Sequence, residues 1–141
     1  MRARNLGLLV VAGLTTACFS DHGAFREPVR EQRLPSGKVV KIVSCLLAWG
    51  SEHDQRFPDQ DAFALEYIST VPRVPPQELE REVLEVFELV RPISEQWGLP
   101  TATVSALRSA DRTGTWDVFA FKRSASGAWS HTSQAITRNK D

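Results

Sequence analysis

Residues 76–91, PQELEREVLEVFELVR, decide the fold of this 141-residue chain. Five apolar side chains recur there at spacings of three and four, the period of one helix face: Leu79, Val83, Val86, Phe87 and Val90. A proline at the start suits the first helical turn, where its missing N–H donor is not needed. Pro92 interrupts the pattern. We therefore predict a helix over residues 76–91, followed by a short turn that ends at Gly98 and Pro100.

Glutamates occupy much of the rest of this helix, at positions Glu78, Glu80, Glu82, Glu85 and Glu88. We predict that Glu82, Glu85 and Glu88 face water. A solvated helix face is the ordinary interpretation of such a stripe, and an acidic surface for a basic partner is the alternative.

Two strands are predicted before the helix. Residues 38–49, KVVKIVSCLLAW, are apolar on both faces, which is typical of a strand covered on both sides. Simple alternation places Val43 and Cys45 on the same face. Residues 62–70 form the second strand, and a polar edge strand over 29–34 precedes both. A turn at 35–38 joins the edge strand to the first of the two.

Three short strands are predicted after the helix, over residues 101–109, 115–123 and 128–136. Turn sequences at 111–114 and 124–127 link them. In the middle strand, Phe119 and Phe121 face one way, and Trp116 and Val118 the other. The order predicts an α+β fold, an antiparallel sheet of four to five strands with one amphipathic helix packed on one face. An all-β barrel plugged by the helix is the alternative.

The N-terminus has the three parts of an export signal. Arg2 and Arg4 form a basic tip, residues 6–14 are apolar, and residues 15–17 are small. The apolar run is shorter than the roughly 20 residues that span a membrane as a helix. We therefore predict that residues 1–17 are a cleaved signal peptide.

Residues 14–18, Leu-Thr-Thr-Ala-Cys, resemble the lipobox of bacterial lipoprotein precursors. The resemblance covers residues 1–18 and implies that Cys18 receives a diacylglycerol and becomes the new N-terminus. Leu14 stands four places before the cysteine, where the lipobox prefers leucine three places before. Thr15 and Ala17 also satisfy the general signal peptidase, which would cut the same bond. In Gram-negative lipoproteins, an aspartate directly after the cysteine is the usual signal for retention on the inner membrane. Phe19 stands at that position here, which favours the outer membrane.

The resulting organisation is a signal peptide at 1–17, a lipid-anchored tether at 18–34 and one α+β domain at 35–141. Cleavage removes two arginines and no acid, so the balanced precursor becomes a mature chain of net charge −2. Such a chain lacks the clustered basic residues that bind nucleic acid. We expect the membrane, through the lipid, and an envelope protein as partners, and no cofactor.

Cys45 is the second of two cysteines, inside the apolar strand. A reactive thiol is one interpretation. We predict instead an inert, buried thiol, because its neighbours Leu46 and Leu47 are apolar.

The loop at residues 51–61 is the main candidate for a ligand or metal site. Its imidazole and carboxylates are of the types that bind zinc or calcium: Glu52, His53, Asp54, Asp59 and Asp61. Their spacing matches no metal motif, so a solvated acidic loop is the ordinary interpretation.

His131 is the other candidate, as the base of a small hydrolase. No Gly-x-Ser-x-Gly elbow accompanies it, so we predict a half-buried or edge histidine and assign no catalytic residue. The four tryptophans could line a pocket for a sugar or an apolar ligand: Trp49, Trp97, Trp116 and Trp129.

The sequence therefore predicts a small exported envelope lipoprotein with a non-enzymatic binding or structural role. The first alternative is a periplasmic metal- or small-ligand-binding module that uses residues 52–61. The second alternative is a small hydrolase that uses His53 or His131.

Overall fold

The computed structural model describes residues 30–48 and 62–139. Six strands form one sheet in chain order: β1 (Arg30–Arg33), β2 (Val39–Ala48), β3 (Ala62–Ile68), β4 (Thr101–Leu107), β5 (Gly114–Arg123) and β6 (Trp129–Arg138). One helix, α1 (Pro76–Gln96), connects β3 to β4. The predicted export signal, Cys18 and the loop at 51–61 lie outside the described residues.

The predicted α+β class is confirmed, with one helix on one face of a mostly antiparallel sheet. The sheet has six strands rather than four or five, and β3 pairs with β4 in parallel. This parallel pair follows from the order strand, helix, strand, because a helical crossover returns the chain in the same direction. Among the described residues β1 and β6 are the two edges, so the sheet is open and is not a barrel.

The helix extends five residues beyond the predicted end and continues through Pro92. Proline removes one backbone hydrogen bond within a helix. Burial offsets this loss, because Ile93 is fully buried and continues the apolar stripe of the preceding turns. The helix ends where Gly98 adopts a left-handed backbone (φ 66°) and its N–H donates to the Glu95 carbonyl at 3.2 Å.

The apolar face of α1 packs on the sheet as predicted. Val83 and Val90 are fully buried, and Phe87 is 4% exposed. The Phe87 ring stacks on Phe121 of β5 with 3.8 Å between centroids and an interplanar angle of 1°. This contact joins the middle of the helix to β5, the second strand after the helix.

Glu82 is fully buried, which corrects the prediction that it faces water. Its carboxylate accepts hydrogen bonds from Tyr67 Oη at 2.9 Å, from Ser69 Oγ at 2.7 Å and from the hydroxyl and backbone N–H of Thr70. Lys38 Nζ lies 3.9 Å away. The donors at the end of β3 compensate the carboxylate for the water that burial removes, which makes a buried acid tolerable.

Glu85 and Glu88, the other two glutamates predicted to face water, differ in their exposure. Glu85 is half-buried and accepts a hydrogen bond from the backbone N–H of Ser36 at 3.1 Å, which ties the β1–β2 turn to the helix. Glu88 is exposed, as predicted.

A register shift in β2 corrects the prediction for its faces. The pairing with β3 is irregular between Ile42 and Ser44. As a result Ile42 and Cys45 both belong to the core under the helix, whereas Val43 belongs to a smaller cluster with Leu107, Trp116 and Val118. The opposed faces of β5 are confirmed, because Phe119 and Phe121 lie in the core under the helix.

Truncation of Phe87 tests the packing of α1. Phe87→Ala removes a buried ring from the stack with Phe121 and should lower the free energy of unfolding by about 3–5 kcal/mol. Glu88→Ala, one position along on the exposed face, should cost roughly 0.5 kcal/mol or less. Chemical denaturation of both variants measures the difference, and equal costs would contradict the placement of the helix.

Tyr67 provides a second test at alkaline pH. Burial and the neighbouring Glu82 carboxylate raise the pKa of Tyr67 above its usual value. The unfolded chain therefore loses this proton at about pH 10, while the folded chain keeps it. The stability that Tyr67 contributes is fully present below about pH 10 and declines as the pH rises further.

The chain has one tyrosine, so tyrosinate absorbance reports Tyr67 alone. We expect no tyrosinate signal above about pH 10 until the protein unfolds. Tyr67→Phe should make stability less dependent on pH in this range. Ionisation of Tyr67 in a protein with native circular dichroism would show that the buried hydrogen bond to Glu82 is absent.

Candidate ligand-binding groove

A groove of about 310 Å³ lies between α1 and the edge strand β6. The helix contributes one wall, and β5, β6 and the turn before β6 contribute the rest. Its lining residues are Leu84, Phe87, Glu88, Arg91, Phe121, Gly127, Ala128, Trp129 and His131.

Aromatic rings form the floor of the groove. Trp129 meets Phe87 edge-on, with 5.2 Å between centroids and an interplanar angle of 69°, beside the stack of Phe87 on Phe121. The indole N–H of Trp129 donates to Glu95 Oε1 at 3.0 Å, which fixes the ring against the helix. Leu84 is 39% exposed and supplies an accessible apolar wall.

Two polar pairs border the groove. Arg91 Nη2 donates to Glu88 Oε2 at 2.6 Å, and Arg91 Nε is buried with no hydrogen-bond partner among the described residues. His131 Nε2 lies 2.9 Å from Glu80 Oε1. The groove therefore combines an apolar floor with a guanidinium and an imidazole, each held by a glutamate.

His131 lies half-buried on the edge strand, which confirms the prediction. Besides Glu80, its ring faces Phe121 at 5.2 Å and Phe119 at 6.0 Å. A hydrolase would need a nucleophile within hydrogen-bond reach of this imidazole. The contacts that the structure gives His131 are one carboxylate and two phenyl rings, so the described residues do not assemble that arrangement.

The tryptophans are dispersed. Trp129 lines the groove, Trp116 lies buried on the opposite face of the sheet, and Trp97 is 48% exposed at the end of the helix. Trp49 lies outside the described residues. Core or rim positions are the ordinary interpretation of these tryptophans, and among those that the structure describes one indole, Trp129, lines the groove beside two phenyl rings.

Two further ion pairs among the described residues lie away from the groove. Arg73 binds Asp117 through two hydrogen bonds, at 2.6 and 3.1 Å, and this contact raises the pKa of Arg73. Arg112 pairs with Glu66, which also accepts a hydrogen bond from Ser44 at 2.7 Å. These pairs join strands and loops.

The candidate ligand or metal loop at 52–61 lies outside the described residues. Within residues 30–48 and 62–139, no group of three or more potential ligands among histidine, cysteine, aspartate and glutamate is placed to hold a metal ion. In the same part of the chain, no helix has the length and apolar character to cross a membrane.

Cys45 is buried, as predicted, but it is not a free thiol, because it is disulfide-bonded. The chain has one other cysteine, Cys18, which lies outside the described residues. The prediction of an inert thiol assigns Cys18 to the lipid anchor, which leaves Cys45 without a partner in the chain.

Comparison with known protein families, with curated proteins and with solved structures gives no match.

Proposed function

We propose that the chain is an exported, non-enzymatic binding module of the bacterial envelope, and that its ligand occupies the groove between α1 and β6. The observation that carries this proposal is the aromatic floor formed by Phe87, Phe121 and Trp129 beside the guanidinium of Arg91. A planar apolar group with a hydrogen-bond acceptor fits this combination.

The size of the groove limits the ligand. At about 310 Å³ it lies at the lower end of the roughly 300–1,000 Å³ that is usual for ligand pockets. One aromatic ring, free or carried as a side chain by a larger partner, matches this volume better than a cofactor does. Rings pair favourably with the edges and faces of Phe87 and Trp129.

The polar border determines the orientation. A carboxylate or carbonyl of the ligand would accept a hydrogen bond from the Arg91 guanidinium, whose Nη2 also donates to Glu88. His131 stands on the other side of the groove and is held by Glu80. We therefore favour an aromatic carboxylate over a neutral or cationic ring.

The lipoprotein hypothesis remains a proposal for the N-terminus, and the disulfide of Cys45 bears on it. Within one chain Cys18 is the single cysteine available to Cys45. A sulfur that carries a diacylglycerol thioether cannot also form a disulfide. Lipid anchoring and an intrachain disulfide are therefore alternative fates of Cys18, and a disulfide within one chain would require cleavage by the general signal peptidase at the same bond.

Mass spectrometry of the exported protein tests this part of the proposal. We expect a mature chain that begins at Cys18 and has no free thiol until it is reduced. A lipid on Cys18 together with a free Cys45 thiol would support the lipoprotein hypothesis and would still be consistent with export. An uncleaved chain with two free thiols would contradict export itself.

Titration with phenylacetate, observed by NMR of the exported protein, tests the groove. The Trp129 indole N–H and the His131 ring signals should shift together and saturate. Leu84→Glu places a carboxylate in the apolar wall, and it should weaken phenylacetate binding at least about tenfold by repelling the ligand's carboxylate.

Val39→Glu is the matched control, because Val39 and Leu84 are both 39% exposed. Val39 lies on β2 and does not line the groove, so this variant should bind phenylacetate as the unmodified protein does. Phenethylamine should bind more weakly than phenylacetate. The absence of any saturable shift at Trp129 and His131 would rule out the groove as the ligand site.

A further inference from the structure

The two edges of the sheet are built very differently. The β1 edge has four residues, Arg30–Arg33, of which three are charged. Short length and charge are the usual protection against pairing with another chain. The β6 edge has ten residues, and its sequence WSHTSQAITR contains neither proline nor lysine.

The β6 strand is also regular and accessible. It pairs with β5 without a register shift over ten positions, from Trp129 opposite Arg123 to Arg138 opposite Gly114. Seven of its ten residues are exposed. In the described part of the chain no strand pairs with its outer side. A long, flat edge with unpaired backbone groups is a template for another strand.

We propose that the strand added to this edge is β6 of a second copy, so that two sheets join into one continuous sheet. A two-fold axis normal to the sheet makes the two strands antiparallel and is the closed arrangement for identical subunits. In such a pair, residues directly opposite each other lie on the same face of the sheet. The axis must therefore pass between a residue and its own copy in the second subunit, and not between two consecutive residues. The middle of β6 lies at Ser133 and Gln134, so the axis passes through Ser133 or, in the adjacent register, through Gln134.

The charges of β6 permit this self-pairing. Its ionisable residues are His131 and Arg138. With the axis at Ser133, His131 stands opposite Ala135 of the second copy, and Arg138 falls beyond the paired residues. Like charges are therefore never directly opposite, which is a condition for a stable strand pair.

This proposal does not depend on the groove. The groove opens on the helix face of the sheet, whereas the pairing uses the backbone of β6 in the plane of the sheet. Failure of phenylacetate to bind would leave the dimer proposal intact, and a monomeric protein would leave the groove proposal intact.

Charge variants at Ser133 test the pairing by native mass spectrometry of the exported protein. The unmodified protein should form dimers that increase with concentration. Ser133→Lys places two lysines opposite each other or, in the adjacent register, diagonally about 7–8 Å apart. It should raise the dimer dissociation constant at least about tenfold, and Ser133→Glu should do the same.

An equimolar mixture of the two variants should restore dimers that contain one copy of each, because the opposite charges now face each other. Gln32→Lys, on the protected β1 edge, is the matched control and should leave dimerisation unchanged. Circular dichroism checks that each variant is folded. A monomeric unmodified protein, a Ser133→Lys variant that still dimerises, or a mixture that stays monomeric would each overturn the proposal.

Discussion

The buried carboxylate of Glu82 fixes the rotation of α1 on the sheet. It accepts hydrogen bonds from Tyr67, Ser69 and Thr70 at the end of β3, on one side of the helix. Five residues later Phe87 stacks on β5. At about 100° per residue these two positions lie roughly 140° apart around the helix. A helix held at two such points cannot roll, and the wall of the groove therefore stays in place beside β6.

Much of the fold follows from local pattern. The apolar stripe of α1, the inward-facing Phe119 and Phe121 and the approximate limits of the strands are all consequences of helix and strand periodicity. What the pattern did not reveal depends on residues distant in sequence. Glu82 is buried because three residues 12 to 15 positions earlier in the sequence donate hydrogen bonds to it. The helix passes Pro92 because Ile93 packs in the core. One signal was available: Tyr67 alternates with Phe63 and Leu65, and a buried tyrosine hydroxyl usually needs a partner.

The groove was only partly foreseeable. Trp129 and His131 were both candidates from the sequence, but for separate roles, a pocket residue and a catalytic base. The structure brings them together with Phe87 and Arg91, which lie on the helix at least 38 residues earlier in the sequence. Periodicity shows that Phe87 faces the sheet, but it does not show which strand lies beneath it. The strand order decides that, because α1 crosses from β3 to β4 and extends its side chains over β5 and the edge strand.

The groove requires a helix that does not move relative to β6, and the Glu82 contacts supply one of its two fixed points. A double-mutant cycle on Glu82→Ala and Tyr67→Phe, measured by chemical denaturation, tests this claim most directly. The hydrogen bond between a buried hydroxyl and a carboxylate predicts a coupling free energy of about 1.5–3 kcal/mol. Effects that add to within about 0.5 kcal/mol would show that Tyr67 and Glu82 act independently, and would contradict the account of how the helix is held.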